Sequence, residues 1–296
     1  MAAVDFNSGG QAEAALRATA SAAHPVPAVE IVTATPAADI DCRLSIVIPA
    51  YNEENRLPAT LERVREYLAE LDITFEVLIV DDGSRDATRE LGRAFVAQHS
   101  WARLVHYDLN GHPLNRGKGY AVRQGVLHAI GKEILFSDAD LSTPIEEMEK
   151  LLAPIRAGEC EVSIASRAMK DSNLAVHQPW YRELMGRGFN LMVQAIAVPG
   201  IVDTQCGFKA FRGDVARRIF SVTLIDGFGF DTEVLFLARK FGYRVRELPV
   251  TWRHMDDSRV SPLSAPIKMF SDLLHVRYNN RRGAYDKPVA INKKEV

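Results

Sequence analysis

Carboxylate side chains follow three short apolar stretches of the sequence. In chain order, these residues are Glu53, Asp81, Asp82, Asp138 and Asp140. Each apolar stretch is typical of a buried parallel strand, and ligands of open α/β sheets bind beyond the carboxyl ends of such strands. The three acidic groups are therefore predicted to meet at one edge of a sheet, which is the predicted active site.

The third group has the chemistry of a metal site. Asp138 and Asp140 are two residues apart, so in an extended segment their side chains point the same way. Two carboxylates can face one Mg²⁺ or Mn²⁺, and such an ion neutralises a departing diphosphate. Asp138 and Asp140 are therefore candidate ligands of such an ion. A D-x-D taken alone is more often a turn with capping aspartates.

A basic, glycine-rich stretch supplies candidate phosphate contacts. Residues 115–119 read NRGKG and precede a predicted helix, where backbone N–H groups can meet a phosphate. Arg116 and Lys118 would add charge-assisted hydrogen bonds. The alternative is an ordinary loop that starts a helix.

Apolar runs alternate with segments of helical periodicity from residue 44 to residue 165. Strands that alternate with helices form right-handed βαβ units. The sequence therefore predicts an α/β fold, with a mainly parallel sheet flanked by helices, in one catalytic domain over residues 43–285. Residues 1–42, rich in Ala and Pro, are predicted to be a disordered tail, and residues 286–296 a polar C-terminal tail.

Composition narrows the class of protein. The 296 residues carry 36 Lys and Arg against 38 Asp and Glu, a formal net charge of −2. This balance argues against nucleic acid as the main partner. No stretch reaches the ~20 apolar residues of a membrane span, and the N-terminus does not read as a signal peptide. The three cysteines lie far apart, so we expect a reducing, cytoplasmic location.

Six motifs together resemble one enzyme family. They are IPAYNEE (48–54), DDGS (81–84), NRGKGYAVRQG (115–125), DADLSTP (138–144), DTQCGFKAF (203–211) and GFGFDTEVL (227–235). In this order they resemble inverting family 2 glycosyltransferases of the GT-A fold, a Rossmann-like architecture. The last two motifs look like those of dolichyl-phosphate and polyprenyl-phosphate glucosyltransferases. The resemblance covers about residues 43–285.

The resemblance implies a nucleotide-sugar site at the strand ends. Pro49, Tyr51 and Glu53 are expected to border the base and ribose, and Asp82 to accept the N–H of the base. Asp81 is expected to hold the loop instead. The full set of expected nucleotide contacts is Pro49, Tyr51, Glu53, Asp82, Arg116, Lys118, Asp138 and Ala139.

The resemblance also implies an acceptor-phosphate site formed by Arg167, Lys209 and Arg259. The expected catalytic residues are Asp138, Asp140, Asp231, Arg167 and Lys209. A hydroxyl acceptor would need Asp231 as a base, whereas a phosphate acceptor is already ionised and needs none. The resemblance implies that Asp138 and Asp140 bind the metal, with Asp140 as the stronger ligand. Ser142 stands where many relatives carry Gln, which leaves the third protein ligand of the metal unassigned.

The implied reaction moves glucose from UDP-glucose to a polyprenyl or dolichyl phosphate, with metal assistance and inversion at the sugar carbon. One alternative is a related transferase that uses another nucleotide sugar or a soluble hydroxyl acceptor. A second alternative is a sugar-nucleotide-binding protein without activity, against which the intact DADLSTP and FDTEVL motifs argue.

A lipid acceptor raises the question of membrane contact. Residues 184–202 and 266–282 mix apolar side chains with Lys and Arg, which suits a helix lying at a membrane interface. Core packing of an amphipathic helix is the more common arrangement for such a pattern. Peripheral association with the inner face of the membrane is therefore a hypothesis.

Overall fold

The computed structural model describes residues 27–34, 41–169, 172–174, 193–194, 197–253 and 264–288. The strands are β1 (Ala28–Thr33), β2 (Leu44–Ala50), β3 (Phe75–Asp81), β4 (Ala102–Leu109), β5 (His112–Pro113), β6 (Glu133–Ser137), β7 (Val162–Ser166), β8 (Asn173–Leu174), β9 (Phe208–Arg212), β10 (Val245–Pro249) and β11 (Thr251–Trp252). The helices are α1 (Leu57–Ala69), α2 (Thr88–Gln98), α3 (Lys118–His128), α4 (Met148–Arg156), α5 (Gly213–Phe220), α6 (Phe230–Lys240) and α7 (Ser264–Arg281). Short 3₁₀ turns cover Ile145–Glu147 and Ala284–Asp286.

One large sheet organises these elements. Its strand order is β1-β4-β3-β2-β6-β9-β7-β10, with β5 paired to β4. The pairs β2–β3, β3–β4, β2–β6 and β7–β10 are parallel. β9 enters antiparallel between β6 and β7. The predicted α/β fold with a mainly parallel sheet is therefore confirmed, and β9 is an antiparallel strand inside it.

Both faces of the sheet are covered, which explains the continuous apolar runs. Leu44 and Ile46 of β2 pack with α1 and α4 on one face, whereas Val47 packs with α3 and α6 on the other. All three side chains are fully buried. A strand enclosed on both faces is apolar along most of its length, so it shows no regular alternation of apolar and polar residues.

The predicted disordered tail is wrong for one segment. Residues 28–33 form β1, which pairs antiparallel with β4 over its whole length. Val29 is buried in the core and Ile31 packs against it. These two β-branched residues stand two apart in a strand whose ladder with β4 supplies the hydrogen bonds. An average over 42 mostly small residues hides so short a strand, and the limits of the predicted domain remain predictions.

Within the part of the chain that the structure describes, no helix is both long and apolar enough to cross a bilayer. Most of residues 184–202 lie outside the described residues. Cys42, Cys160 and Cys206 are buried with free thiols, and burial raises the pKa of Cys42 and of Cys206 to about 11. At neutral pH these thiols are protonated, which makes them poor nucleophiles.

Candidate functional site

The end of β3 is tied to the basic loop, which we define as residues 114–118. Asp82 is buried, and its carboxylate accepts the N–H groups of Arg116 and Gly117, both at 2.8 Å. It also accepts the Asn115 side-chain amide at 3.0 Å and the Tyr107 hydroxyl. Burial raises the pKa of Asp82 to about 6 in spite of these donors. Asp82 therefore holds the basic loop, and its predicted contact with a base would have to share this carboxylate.

Two glycines let the basic loop pass between its neighbours. Gly117 has a φ of +113°, and a Cβ there would lie 2.6 Å from the carbonyl oxygen of Asp226. Gly83 has a φ of +71°, and a Cβ there would lie 2.5 Å from the carbonyl carbon of Leu114. A side chain at either position would be strained and would push the loop away.

Arg116 is paired within the protein. Its guanidinium donates to the Asp226 carboxylate at 3.1 and 2.5 Å. Arg116 and Arg123 also lie against the ring of Tyr120, at 4.6 and 4.7 Å from its centroid. The predicted contact of Arg116 with a diphosphate remains a prediction, because in this geometry the side chain joins the basic loop to the turn that contains Asp226.

Lys118 and Asp138 form the ion pair at the centre of the candidate site. The Lys118 ammonium lies 2.5 Å from Oδ1 of Asp138. Burial opposes the charge on Lys118, but Asp138 and Asp231 outweigh it and raise the pKa of the ammonium. Gly207 permits this geometry, since a Cβ there would lie 2.0 Å from the Asp138 carboxylate. The basic loop and the D-x-D segment therefore meet beyond β6.

The D-x-D segment is held in a tight turn. Thr60 donates to the carbonyl oxygen of Ala139 at 2.6 Å, and the Asp140 carboxylate accepts the N–H of Ser142 at 2.9 Å. Leu141 has a φ of +47°. This turn sets Asp138 and Asp140 just beyond β6, and both side chains are partly exposed.

The donor chemistry of this segment fits a divalent cation. The carboxylate oxygens of Asp138 and Asp140 are hard ligands of the kind that Mg²⁺ and Mn²⁺ prefer. Over the described ranges, no group of three or more His, Cys, Asp or Glu side chains is placed to hold a metal ion. A cation here would therefore take further ligands from water and phosphate oxygens, as Mg²⁺ usually does.

An ion pair between Arg56 and Glu53 lies just beyond the end of β2. Arg56 donates to both oxygens of the Glu53 carboxylate at 2.7 Å. Pro49 is buried in β2, and Tyr51 is half-buried in the loop that follows. The predicted contacts of Tyr51 and Glu53 with a nucleotide remain predictions, and Glu53 would have to share its carboxylate with Arg56.

A second Lys–Asp pair lies behind the first. Lys209 of β9 is fully buried, and its ammonium donates to Asp231 at 2.5 Å and to the carbonyl oxygen of Cys206 at 2.6 Å. Burial raises the pKa of Asp231, while Lys209 and Lys118 lower it in part. The ammonium of Lys209 has no exposed surface for an acceptor phosphate. Its observed role is to neutralise Asp231, which differs from the acceptor contact expected from the sequence.

Arg167 follows β7 and is clamped by Asp203. Its guanidinium donates to the two carboxylate oxygens at 2.7 and 2.9 Å, and its backbone N–H donates to the same carboxylate at 2.9 Å. Burial opposes ionisation of Asp203, but Arg167 outweighs it and lowers the pKa of the carboxyl. The Arg167 side chain keeps 30% of its surface exposed. It therefore offers a fixed cation at this edge, whereas Arg259 lies outside the described residues.

Several positioning residues were not predicted from the sequence. Asp226 and Tyr107 anchor the basic loop, and Asp203 orients Arg167. Asp203 and Gly207 fall inside the motif DTQCGFKAF, so that motif carried a signal for them. Asp226 directly precedes GFGFDTEVL, whereas nothing around Tyr107 on β4 points to Asp82.

Comparison with known proteins gives consistent matches over most of the chain. The family model described as "Glycosyl transferase family 2" matches residues 45–220. The chain is 35% identical to a dolichyl-phosphate beta-glucosyltransferase of Dictyostelium discoideum, over 82% of this chain and 76% of the relative. It is 34% identical to the protein of that name from Homo sapiens, over 82% of this chain and 77% of the relative.

Solved structures agree on the fold. Glucosyl-3-phosphoglycerate synthase from Mycobacterium tuberculosis, in complex with Mn²⁺, UDP and glucosyl-3-phosphoglycerate, superposes with a TM-score of 0.59 at 19% identity, over 79% of this chain and 80% of that one. Mannosyl-3-phosphoglycerate synthase from Rubrobacter xylanophilus gives a TM-score of 0.58 at 14% identity, over 82% and 76%. These matches confirm the predicted GT-A fold.

Proposed function

The chain belongs to glycosyl transferase family 2 and is a glycosyltransferase, and we propose that it transfers glucose from UDP-glucose to the phosphate of a polyprenyl or dolichyl lipid. The named activity of the relatives, at 34–35% identity over about four-fifths of the chain, supports this acceptor and sugar. The observation that carries the choice of acceptor is the pairing of Asp231 with Lys209.

A phosphate acceptor needs no base from the protein. Its second pKa is near 6, so at neutral pH it is largely a dianion and is already nucleophilic. A hydroxyl acceptor must lose a proton as it attacks, which calls for a carboxylate within reach. Asp231 is 4% exposed and its Oδ1 is bound to the Lys209 ammonium. Such a group is poorly placed to take a proton, and this favours the phosphate acceptor.

The reaction is a single displacement. An oxygen of the acceptor phosphate attacks the anomeric carbon from the face opposite the diphosphate. The bond from that carbon to the diphosphate breaks, and its electron pair leaves on UDP, so an α-linked donor gives a β-linked product. Lys118 and the N-terminus of α3 would stabilise the diphosphate. Arg167, held by Asp203, would orient the acceptor phosphate.

Asp138 and Asp140 are proposed to hold Mg²⁺ or Mn²⁺. When bound, the ion would neutralise negative charge on the diphosphate as the bond to the sugar breaks. One fold neighbour has been solved with UDP and Mn²⁺ and with UDP and Mg²⁺, which supports testing both ions with a uridine donor. The assignment for this chain rests on the carboxylate chemistry of the D-x-D turn.

The test of the proposed function is an acceptor and donor panel. Purified protein is incubated with UDP-glucose, UDP-GlcNAc or GDP-mannose, with Mg²⁺, Mn²⁺ or EDTA, and with a polyprenyl phosphate or soluble alcohols. We expect product from UDP-glucose and the lipid phosphate, and none in EDTA. Transfer to an alcohol instead would support a hydroxyl-acceptor enzyme. Donor binding without any transfer would contradict the proposed function and support a binding protein.

A stripe on α7 supports the proposed contact with an anionic membrane. Phe270, Leu274, Arg277 and Arg281 recur at spacings of four, three and four residues, so they share one face of the helix, and all four are exposed. Leu273, on another face, is buried in the core. Core packing and an exposed stripe therefore belong to different faces of the same helix. Apolar side chains beside basic ones suit the surface of an anionic bilayer.

Vesicle flotation tests this contact. The wild type should float with vesicles that contain anionic lipid, and high salt should weaken the effect. The double variant Phe270→Glu/Leu274→Glu should stay in the soluble fraction. Ile130→Glu is the matched control, because Ile130 is 42% exposed outside this helix and its variant should float normally. Equal flotation of all three proteins would overturn the assignment of the α7 stripe.

A further inference from the structure

The C-terminal 3₁₀ turn places a tyrosine in the core. Tyr285, in the segment Ala284–Asp286, is 1% exposed, and its ring lies 6.4 Å from that of Phe236 on α6. Its hydroxyl donates to Oε1 of Glu233 at 2.8 Å. The sequence motifs include Glu233 but not Tyr285, so the C-terminal turn brings an unassigned side chain to a motif residue.

Glu233 connects Tyr285 to the turn before α6. Its fully buried carboxylate accepts the backbone N–H of Leu224 at 3.0 Å and the backbone N–H of Ile225 at 3.0 Å. One carboxylate thus joins Tyr285 to the two residues that precede Asp226. If this buried carboxylate lost one of its hydrogen-bond donors, its remaining hydrogen bonds would have to compensate. The carboxylate and the turn before α6 would then shift together.

Asp226 connects this turn to the basic loop. Its carbonyl oxygen accepts the N–H of Tyr120 at 3.1 Å, and its carboxylate holds Arg116 at 2.5 Å. The backbones of Gly117 and Asp226 lie in close contact, since a Cβ on Gly117 would lie 2.6 Å from that carbonyl oxygen. A shift of Asp226 would therefore displace Gly117. Lys118 follows in the chain and reaches Asp138. Each contact in this series is direct, and each joins backbone or charged groups.

We propose that Tyr285 is a positioning residue for the basic loop: through Glu233 and Asp226 it holds residues 114–118 in the conformation that receives a nucleoside diphosphate. The mechanical link stands on the contacts above. Its consequence for the nucleotide rests on the proposed function. The two parts can therefore be measured separately.

The link is tested by hydrogen exchange of the full chain without ligand. Tyr285→Phe removes one hydroxyl and keeps the ring. We expect faster exchange in peptides that cover residues 114–120 and 224–230, by roughly 5-fold or more. A peptide from β2 (Leu44–Ala50) serves as the internal reference and should not change. Tyr278→Phe is the matched control, because the Tyr278 hydroxyl accepts its hydrogen bond from the exposed side chain of Arg282, at 3.0 Å.

Two outcomes would overturn the link. One is a change confined to α6 and to the C-terminal turn, with the basic loop unaffected. The other is a uniform increase that includes β2, which would indicate general destabilisation. A second variant separates the path from the fold: in Asp226→Asn the loop should already exchange faster, and adding Tyr285→Phe should then add little to the basic loop.

Binding of UDP tests the consequence. The dissociation constant of Tyr285→Phe for UDP should rise roughly 5-fold or more, while the turnover number at saturating donor stays close to the wild-type value. A merely structural role would lower the active fraction and leave the dissociation constant unchanged, which would contradict the positioning role. If the wild type failed to bind UDP, the proposed function would fall, and the exchange experiment would still decide the link.

Discussion

Two Lys–Asp pairs with the same spacing lie near the candidate site and differ in burial. Lys118 and Asp138 are 2.5 Å apart, with 19% and 34% of their side chains exposed. Lys209 and Asp231 are also 2.5 Å apart, with 0% and 5% exposed. Water and a ligand can compete for the first pair, whereas the second is enclosed by protein. The same two residue types are therefore accessible to a ligand in one place and enclosed by the fold in the other.

The difference shows how burial assigns roles to charges. Separating a buried pair leaves a charge without solvent, so that pair is fixed. A partly exposed pair gains little net stability, so its members can exchange partners at small cost. The same distinction applies to Asp82 and Glu233, whose carboxylates hold loops through backbone N–H groups. By this criterion Asp138 and Asp140, which are partly exposed, are the carboxylates that stay available to a ligand.

The largest expected effect concerns the partly exposed carboxylates of the D-x-D turn. Asp140→Ala should abolish metal-dependent transfer, a loss of roughly 10³-fold or more, because the D-x-D turn would keep only one carboxylate. The melting temperature should stay near that of the wild type, since Asp140 is partly exposed. Ser142→Ala, which leaves the Ser142 N–H in place, is the control. Near-normal turnover of a folded Asp140→Ala would remove the metal assignment.

The next effect is on the buried pair. Lys209→Met should lower the free energy of unfolding by about 3–5 kcal/mol, because Asp231 would remain buried without its cation. Lys118→Met, the same change in the partly exposed pair, should lower it by about 1 kcal/mol or less. Chemical denaturation of the two variants measures the contrast. Equal losses of unfolding free energy in the two variants would contradict the different roles assigned to the two pairs from their burial.

A smaller effect concerns pH. Burial raises the pKa of Glu233 from the ordinary value of 4.5 to about 7. Between these values the folded protein keeps a proton that the unfolded chain has released. The contribution of this group to stability therefore falls as pH rises from 4.5 to 7, and then levels off. The wild type should lose roughly 2–3 kcal/mol relative to Glu233→Gln over this window.

Urea unfolding of both proteins at pH 5, 6, 7 and 8 measures that difference. The other titrating groups are shared by the two proteins, including Tyr285 and Arg123, which face Glu233. Their contributions cancel when one stability curve is subtracted from the other. Parallel curves for the two proteins would show that Glu233 is ionised throughout and that its raised pKa is wrong.

The smallest expected effect is on the basic loop. Asp82→Asn replaces one accepting oxygen with an NH₂ group that faces the N–H donors of Arg116, Gly117 or Asn115. A loss of about 1 kcal/mol, or roughly 5-fold in the KM for UDP-glucose, should follow. Asp86→Asn, in a partly exposed loop outside this cluster, should leave the KM unchanged. An unchanged KM in Asp82→Asn would show that this carboxylate does not position the loop.

The elements around the first strands could be predicted because their signals are local. The helical spacing of Leu57, Leu61, Val64 and Leu68 identified α1, and the structure buries all four side chains. The apolar run before Asp138 identified β6. The antiparallel entry of β9 between β6 and β7 could not be predicted in this way. It depends on pairing between strands that are more than 40 residues apart in the chain.

Which charges meet was beyond sequence reasoning for the same reason. Lys209 and Asp231 come from a strand and a helix, and both looked available for substrate until their mutual contact was known. β1 was concealed by the composition of its surroundings and exists because β4 offers it a free edge. Tyr285 carries no local signal, since its role depends on Glu233, 52 residues away.

Residue order alone determined the kind of protein: short apolar runs dictate strands, and the acidic and glycine-rich stretches after them identify the family. The same stretches predict the edge of the sheet that carries the chemistry. These properties depend on neighbours within a few residues. Tertiary structure decided which carboxylates remain accessible and which are already bound to other groups of the protein. That choice depends on desolvation and on partners from distant elements, and neither is defined until the chain has folded.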